Sequence, residues 1–200
     1  NGATTAPRPN QPKSPPLLAA PGSVELSLAR SIKFSGVAWT KDGTGLFYGR
    51  YDEPGEEERF QSVNRNQKVF YHCVGTPQAE DVLVYQRPDQ PDWGFQTTVT
   101  EDGKYLVITV WRGTERKNQV FYQPLDDPEA ELVEWISGFD AEYQFLGNEG
   151  ERFWFLSDRD APLKRILARD ISGTDREPWR GVVDEAAEVI ENAQLVGDRF

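Results

Sequence analysis

The sequence has 200 residues, enough for one domain or part of one, with a formal net charge of −11 and a pI near 4.7. So acidic a surface repels phosphate backbones and anionic lipid, which argues against nucleic acid or a membrane surface as the main partner. No run approaches the roughly 18 apolar residues of a membrane helix, and no basic start with an apolar core marks a signal peptide. Cys73 is the only cysteine, so no internal disulfide forms; a reducing compartment, the cytoplasm, is the expected home. Methionine is absent and the first residue is Asn1, so the chain is expected to begin inside a longer protein.

Residues 1–30 read as a linker or tail. Pro7, Pro9, Pro12, Pro15, Pro16 and Pro21 stand there among Gly, Ser, Thr and Asn, and proline removes the backbone donors a central strand needs. From about residue 31 the text changes to short apolar runs divided by turn residues. Aromatics make up 12% of the chain, with 6 Trp, 7 Tyr and 11 Phe, which suits half-buried strands.

The first run is Phe34 to Trp39, followed by a hairpin turn at Asp42-Gly43 and a return through Leu46-Phe47-Tyr48. A polar excursion from Asp52 to Asn66 leads to strands at Lys68–Val74 and Asp81–Gln86. A second round reads Phe95–Thr100, a turn at Asp102-Gly103, Tyr105–Trp111, Gln119–Leu125 and Leu132–Ile136. A third reads Tyr143–Leu146, a turn at Asn148-Glu149-Gly150, Phe153–Leu156, Arg165–Ile171 and Trp179–Val183. Glu185 to Asn192 has the pattern of one or two helical turns, and Ala193 to Phe200 looks like the opening of a fourth round.

These rounds are an internal repeat. Gln67-Lys68-Val69-Phe70-Tyr71 returns 51 residues later as Asn118-Gln119-Val120-Phe121-Tyr122, and the Asp102-Gly103 and Glu149-Gly150 turns lie 47 apart. Four short antiparallel strands per 40 to 50 residues is the period of a propeller blade. One four-stranded blade cannot hide both of its faces, and stacking around an axis buries them. The expected fold is therefore all-β: an incomplete β-propeller of about three and a half blades, spanning residues 31–200. A β-sandwich is the alternative, but it requires no repeat of four. Blades are expected to be missing on both sides, leaving the isolated chain poorly soluble.

The usual catalytic constellations do not occur. There is no Gly-x-Ser-x-Gly elbow and no Gly-rich phosphate loop. His72 is the single histidine, and as a mid-strand residue beside Tyr71 and Cys73 it reads as a histidine with a satisfied ring. No metal or other cofactor is expected. The acidic groups Asp126, Asp127, Glu129 and Glu131, Asp158 and Asp160, and Asp184, Glu185 and Glu188 sit between strands as solvated turns; paired acids of a glycosidase are the competing reading. Trp93, Phe95 and Trp111 are either blade-to-blade packing or ligand contacts.

Ordered motifs across three blades carry a family resemblance. Phe34-Ser35-Gly36-Val37-Ala38-Trp39-Thr40-Lys41-Asp42-Gly43 with Leu46-Phe47-Tyr48, Gln67-Lys68-Val69-Phe70-Tyr71-His72 with Gly75-Thr76 and Glu80-Asp81, Arg112-Gly113-Thr114 with Asn118 and Phe121-Tyr122, and Gly147-Asn148-Glu149-Gly150 with Ser157-Asp158-Arg159 resemble the propeller of prolyl oligopeptidases, which are serine peptidases. The likeness runs from about residue 31 to 200; residues 1–30 depart from it, where a preceding blade is expected.

The resemblance implies a parent that hydrolyses short peptides after proline. A seven-bladed propeller there covers a C-terminal α/β-hydrolase domain as a lid or filter, admitting short peptides and excluding folded proteins. This segment supplies none of the Ser, Asp and His of catalysis and is expected to be inactive alone. It implies substrate-facing roles for Phe34, on an apolar peptide side chain, for Trp111, Arg112 and Thr114 in a strand-end loop, and for Gly94 or Phe95 beside them. A non-enzymatic, protein-binding propeller scaffold is the alternative function.

Overall fold

The computed structural model describes residues 36–51, 65–172, 178–197 and 199–200. The Pro-rich stretch 1–30, Phe34 and most of the 52–66 excursion lie outside the described residues.

Twelve strands form three antiparallel sheets of four. The first sheet holds β1 (Val37–Trp39), β2 (Gly45–Arg50), β3 (Lys68–Cys73) and β4 (Val82–Gln86); the second β5 (Trp93–Val99), β6 (Tyr105–Arg112), β7 (Gln119–Pro124) and β8 (Val133–Ile136); the third β9 (Tyr143–Glu149), β10 (Arg152–Ser157), β11 (Arg165–Asp170) and β12 (Arg180–Val183). Each sheet is a meander in chain order. Every expected strand is present, with ends shifted by a few residues.

The middle sheet shows why the sheets stack. Along β6, Leu106, Ile108 and Val110 are fully buried against the first sheet, with Ala38, Phe47, Val69, Phe95 and Phe121. The alternate residue Val107 points the other way, into a second cluster with Val120, Tyr122, Trp135, Tyr143, Phe153 and Phe155. Side chains alternate across a strand, so a strand apolar at successive positions needs a neighbour on both faces. Phe153 meets Tyr105, Tyr122 and Trp135 at ring separations of 5.3 to 6.2 Å.

Two fastenings recur between neighbouring sheets. At one end, the Asn66 N–H donates to the Pro91 carbonyl (2.8 Å) and the Phe95 N–H to Gln67 Oε1 (2.6 Å). One sheet later, the Asn118 N–H donates to the Ala141 carbonyl (3.1 Å), the Tyr143 N–H to Asn118 Oδ1 (2.6 Å), and Asn118 Nδ2 to the Tyr143 carbonyl (3.0 Å). The repeated Gln/Asn before β3 and β7 is therefore a side-chain amide that occupies the open edge of the next sheet's innermost strand. At the opposite end the hairpins interlock. Lys41 Nζ meets Glu101 (2.8 Å), and Asn148 Nδ2 donates to Asp102 (3.1 Å).

The hairpins are built alike. Thr40 and Thr100 each brace a six-residue turn through Oγ1, which accepts the N–H of Gly45 (3.1 Å) and Tyr105 (3.0 Å). Asp42 and Asp102 accept the N–H two residues on. Gly43 and Gly103 follow at φ 69° and 72°, where a Cβ is strained.

His72 is a satisfied strand residue. Its Nδ1 lies 2.7 Å from Asp81 Oδ1, both side chains are buried, and Asp81 also accepts the Tyr48 hydroxyl. The Gln78–Glu80 3-10 turn delivers Asp81 to this pair.

Two expectations fail at the C-terminal side. Glu185–Asn192 is not helical; contacts of the Glu185 side chain and the Ile190 backbone with Leu163 hold it instead. Glu185 accepts the Leu163 N–H (2.5 Å), and the Ile190 N–H donates to the Leu163 carbonyl (3.0 Å). The fourth round, among the described residues, amounts to one bridge, Val196↔Arg199. Its apolar residues nevertheless cover the far face of the third sheet: Leu195 sits over Gly147, and Phe200 lies 5.9 Å from Trp154.

Replacing Asn118 by Ala leaves the Tyr143 N–H and carbonyl without partners in a buried place, a loss of about 1–3 kcal/mol. Asn148→Ala, at an exposed hairpin, should cost less than about 0.5 kcal/mol. Urea unfolding of both variants measures the difference; equal midpoints would remove the amide from its fastening role.

Candidate functional site

The candidate residues Trp111, Arg112 and Thr114 lie at the end where β5 and β9 begin and β6 and β10 finish. β6 runs out through Trp111 and Arg112 into a connection, residues 113–118, that turns at Gly113 (φ 56°). Residues 112 to 117 are all exposed. The turn closes by the Glu115 N–H donating to the Arg112 carbonyl (3.1 Å).

Trp111 faces the third sheet and pairs with Gly94 of β5. Its indole lies flat over that glycine, where any Cβ would overlap the ring. The glycine's missing side chain is thus the seat of the tryptophan, a cross-strand arrangement in which an aromatic covers the gap.

Arg112 faces the opposite side. Its guanidinium donates twice to Glu115 Oε2 (3.1 and 2.6 Å) and stacks 4.6 Å from the Phe139 ring centroid. Phe139 packs edge-on against Trp93 (5.6 Å), and Arg87 covers the other side of Trp93 at 4.7 Å. Arg87 is itself held by Asp89 and Glu134. The hydrogen bond to Arg87 holds the Asp89 carboxyl down at about 2. The result is a pair of packed rings with a cation at each end, along the mouth of the crevice between the first two sheets.

The third sheet repeats the theme. Arg159 Nη1 donates to Asp140 (2.5 Å) and to the Tyr143 hydroxyl (2.8 Å), with its guanidinium 5.8 Å from Trp179. Burial pushes the Tyr143 phenol up to about 12, and does the same to Tyr85, whose hydroxyl donates to Glu134 (2.8 Å).

Of the residues singled out from sequence, Trp111, Arg112 and Thr114 lie together on this hairpin. Phe34 lies outside the described residues. Phe95 is set apart: it is 1% exposed, its ring packs edge-on against Tyr85 (5.3 Å), and it belongs to the core between the first two sheets. A ring so enclosed supports the wall and does not present itself to a ligand, because β5 turns its odd positions toward the first sheet. Gly94, one residue earlier, is on the exposed hairpin's side through Trp111. Sequence reasoning missed Phe139, Arg87 and the Arg159–Tyr143–Asp140 set. Most of their contacts join different strands or connections, and no local pattern marks them.

The three stacked four-stranded sheets, joined edge to face by the same fastenings, define a β-propeller domain. The chain belongs to the family of prolyl oligopeptidase N-terminal β-propeller domains, whose model matches residues 27–200. It is 35% identical over 150 residues to prolyl oligopeptidase A of Amanita bisporigera, covering 71% of this chain and 20% of that protein. It is 31% identical over 160 residues to the prolyl endopeptidase of Elizabethkingia meningoseptica, covering 80% and 22%. A solved prolyl endopeptidase superimposes with a TM-score of 0.74 at 32% identity, over 84% of this chain and 23% of that one. Prolyl oligopeptidase B of Galerina marginata, bound to a 35mer hydrolysis and macrocyclization substrate, gives 0.71 at 31% identity, over 78% and 22%. The chain thus spans about a fifth of the length of the relatives it matches, and its likeness is to their propeller.

Two measurements test this site. Gly94→Ala must displace the Trp111 indole; the overpacking should cost about 1–3 kcal/mol in urea unfolding, and an unchanged midpoint would show that the ring does not rest there. The second concerns pH. Phenols whose folded pKa is raised contribute stability that is complete below the ordinary value of 10.0 and lost as pH rises through the folded one. Unfolding free energy should therefore stay level to about pH 10 and fall between about pH 10 and 12, with tyrosinate absorbance from these two residues in the folded protein appearing only as pH nears about 12. Full titration of all tyrosines near the ordinary value with the fold intact would contradict their burial.

Proposed function

We propose that this chain is the gating segment of a prolyl oligopeptidase-like serine peptidase that hydrolyses short peptides after proline in the cytoplasm. Catalysis belongs to a C-terminal α/β-hydrolase domain of the same protein, and the segment forms part of the wall of the substrate cavity. The observation that carries this reading is the family match across residues 27–200 together with an exposed, aromatic-lined hairpin at one end of the sheets, Trp111 to Thr114.

The physical role is exclusion and orientation. Stacked blades make a rigid wall, since the middle sheet is clamped on both faces, and a rigid wall passes an extended peptide while stopping a folded protein. The Trp111 indole over Gly94 offers a flat apolar surface, and Thr114 adds a hydroxyl at the turn. Arg112, held by Glu115 and Phe139, fixes the hairpin's direction. Phe34 supplies a further apolar contact for a peptide side chain, and Phe95 backs the wall from the core.

In the full-length protein, Trp111→Ala and Phe34→Ala should each raise KM for a short fluorogenic proline peptide by about tenfold, the scale of one lost apolar contact. The catalytic rate constant should change less. Unaltered kinetics in both variants would remove this hairpin from the substrate path. Cleavage of the same proline sequence within a folded host protein, at the rate seen for the free peptide, would refute the filter.

A further inference from the structure

The hairpin between β6 and β7 is electrostatically unlike the other fully described connections between strands. Among the fully described connections between strands, it alone carries a positive balance: Arg112, Arg116 and Lys117 against Glu115. The turns at 40–44 and 158–164 are balanced, and the others are negative, most strongly at 125–132 with Asp126, Asp127, Glu129 and Glu131. Most other cations at the described surface are used in pairs: Lys41 with Glu101, Arg65 with Asp92, Arg87 with Asp89 and Glu134, Arg152 with Asp170, Arg159 with Asp140, and Lys164 with Glu142. Within the hairpin itself, Glu115 is taken by Arg112 in a two-nitrogen contact. Arg116 and Lys117 are exposed and enter no ion pair or hydrogen bond with any of the described residues.

We propose that Arg116 and Lys117 form a carboxylate-recognition subsite beside the Trp111 surface, giving the parent peptidase a preference for peptides that carry an anionic group within reach of that surface. The inference rests on the functional reading above and adds the chemical class of substrate to it. A molecule of net charge −11 repels an anionic peptide in general, so a local pair of unneutralised cations at one mouth sets both where such a peptide is drawn and how it lies. Holding two like charges side by side in a turn is unfavourable when nothing opposes them, and a bound carboxylate relieves that repulsion. Arg112 cannot serve in their place while Glu115 occupies its guanidinium. The anion is either an Asp or Glu side chain of the peptide or its free α-carboxylate.

The test uses the full-length protein and matched fluorogenic proline peptides. One pair places Glu or Gln before the proline with a blocked C-terminus; a second keeps Gln and ends in a free carboxylate or an amide. In the wild type, kcat/KM should favour the anionic member of at least one pair by about fivefold at about 0.02 M salt, the sum of two exposed charge contacts, and the preference should shrink at about 0.5 M salt. Which pair shows it identifies the source of the carboxylate. The ratio should approach one in R116A/K117A, invert in R116E/K117E, and persist in K104A, which removes an exposed cation at the opposite end. Equal ratios in the wild type, or a ratio that survives R116E/K117E, would overturn the subsite while leaving the peptidase reading intact. Failure of the full-length protein to cleave any of the four peptides would sink that reading, and the subsite with it.

Discussion

Each sheet of this protein is apolar on two faces, and no sheet can satisfy both by itself. Leu106, Ile108 and Val110 enter one core while Val107, on the same strand, enters another. Removing the first or third sheet would expose one of those sets to water, at about 1.5–3 kcal/mol for each large side chain. Stacking follows from that constraint, and so does the regular spacing of everything attached to the sheets.

Apolar burial is non-directional, so it brings sheets together without fixing how far one slides on the next. The amides of Gln67 and Asn118 supply the missing direction. Each occupies backbone groups on the open edge of the following sheet, at Phe95 and Tyr143 respectively. The far ends are indexed by Lys41 on Glu101 and Asn148 on Asp102. With both ends pinned, the hairpin from Arg112 to Asn118 is held at a defined place relative to both neighbouring sheets. The proposed filter would require that fixity, because a contact loose by an ångström loses most of its selectivity.

The chemistry visible at this end is recognition chemistry. Arg87, Arg112 and Arg159 are shielded by rings and neutralised by carboxylates, and burial raises the phenols of Tyr85 and Tyr143. His72, which could have suggested a base, is consumed by Asp81 inside the first sheet. That inventory is compatible with the gating role proposed above.

The alternation of apolar residues, the Asp-Gly turns and the echo of Gln67–Tyr71 in Asn118–Tyr122 were enough to place twelve strands in three rounds, because strand pattern and turn chemistry are local properties. The strands on either side of residues 113–118 were legible for the same reason, whereas the choice of Trp111, Arg112 and Thr114 on that hairpin came from the family resemblance. The helical reading of Glu185–Asn192 failed where the Glu185 side chain and the Ile190 backbone are held by Leu163, a partner more than 20 residues away in sequence. Phe95 could be placed on a strand from sequence, but which face it takes is set by the sheet it stacks on. The cation–ring row of Arg87, Trp93, Phe139 and Arg112 arises only when two sheets close on each other. Sequence alone determined the repeat, the strands and the turns, since neighbouring residues decide them. The tertiary structure alone decided which side chains are walls and which are contacts, since that depends on faces meeting across long stretches of chain.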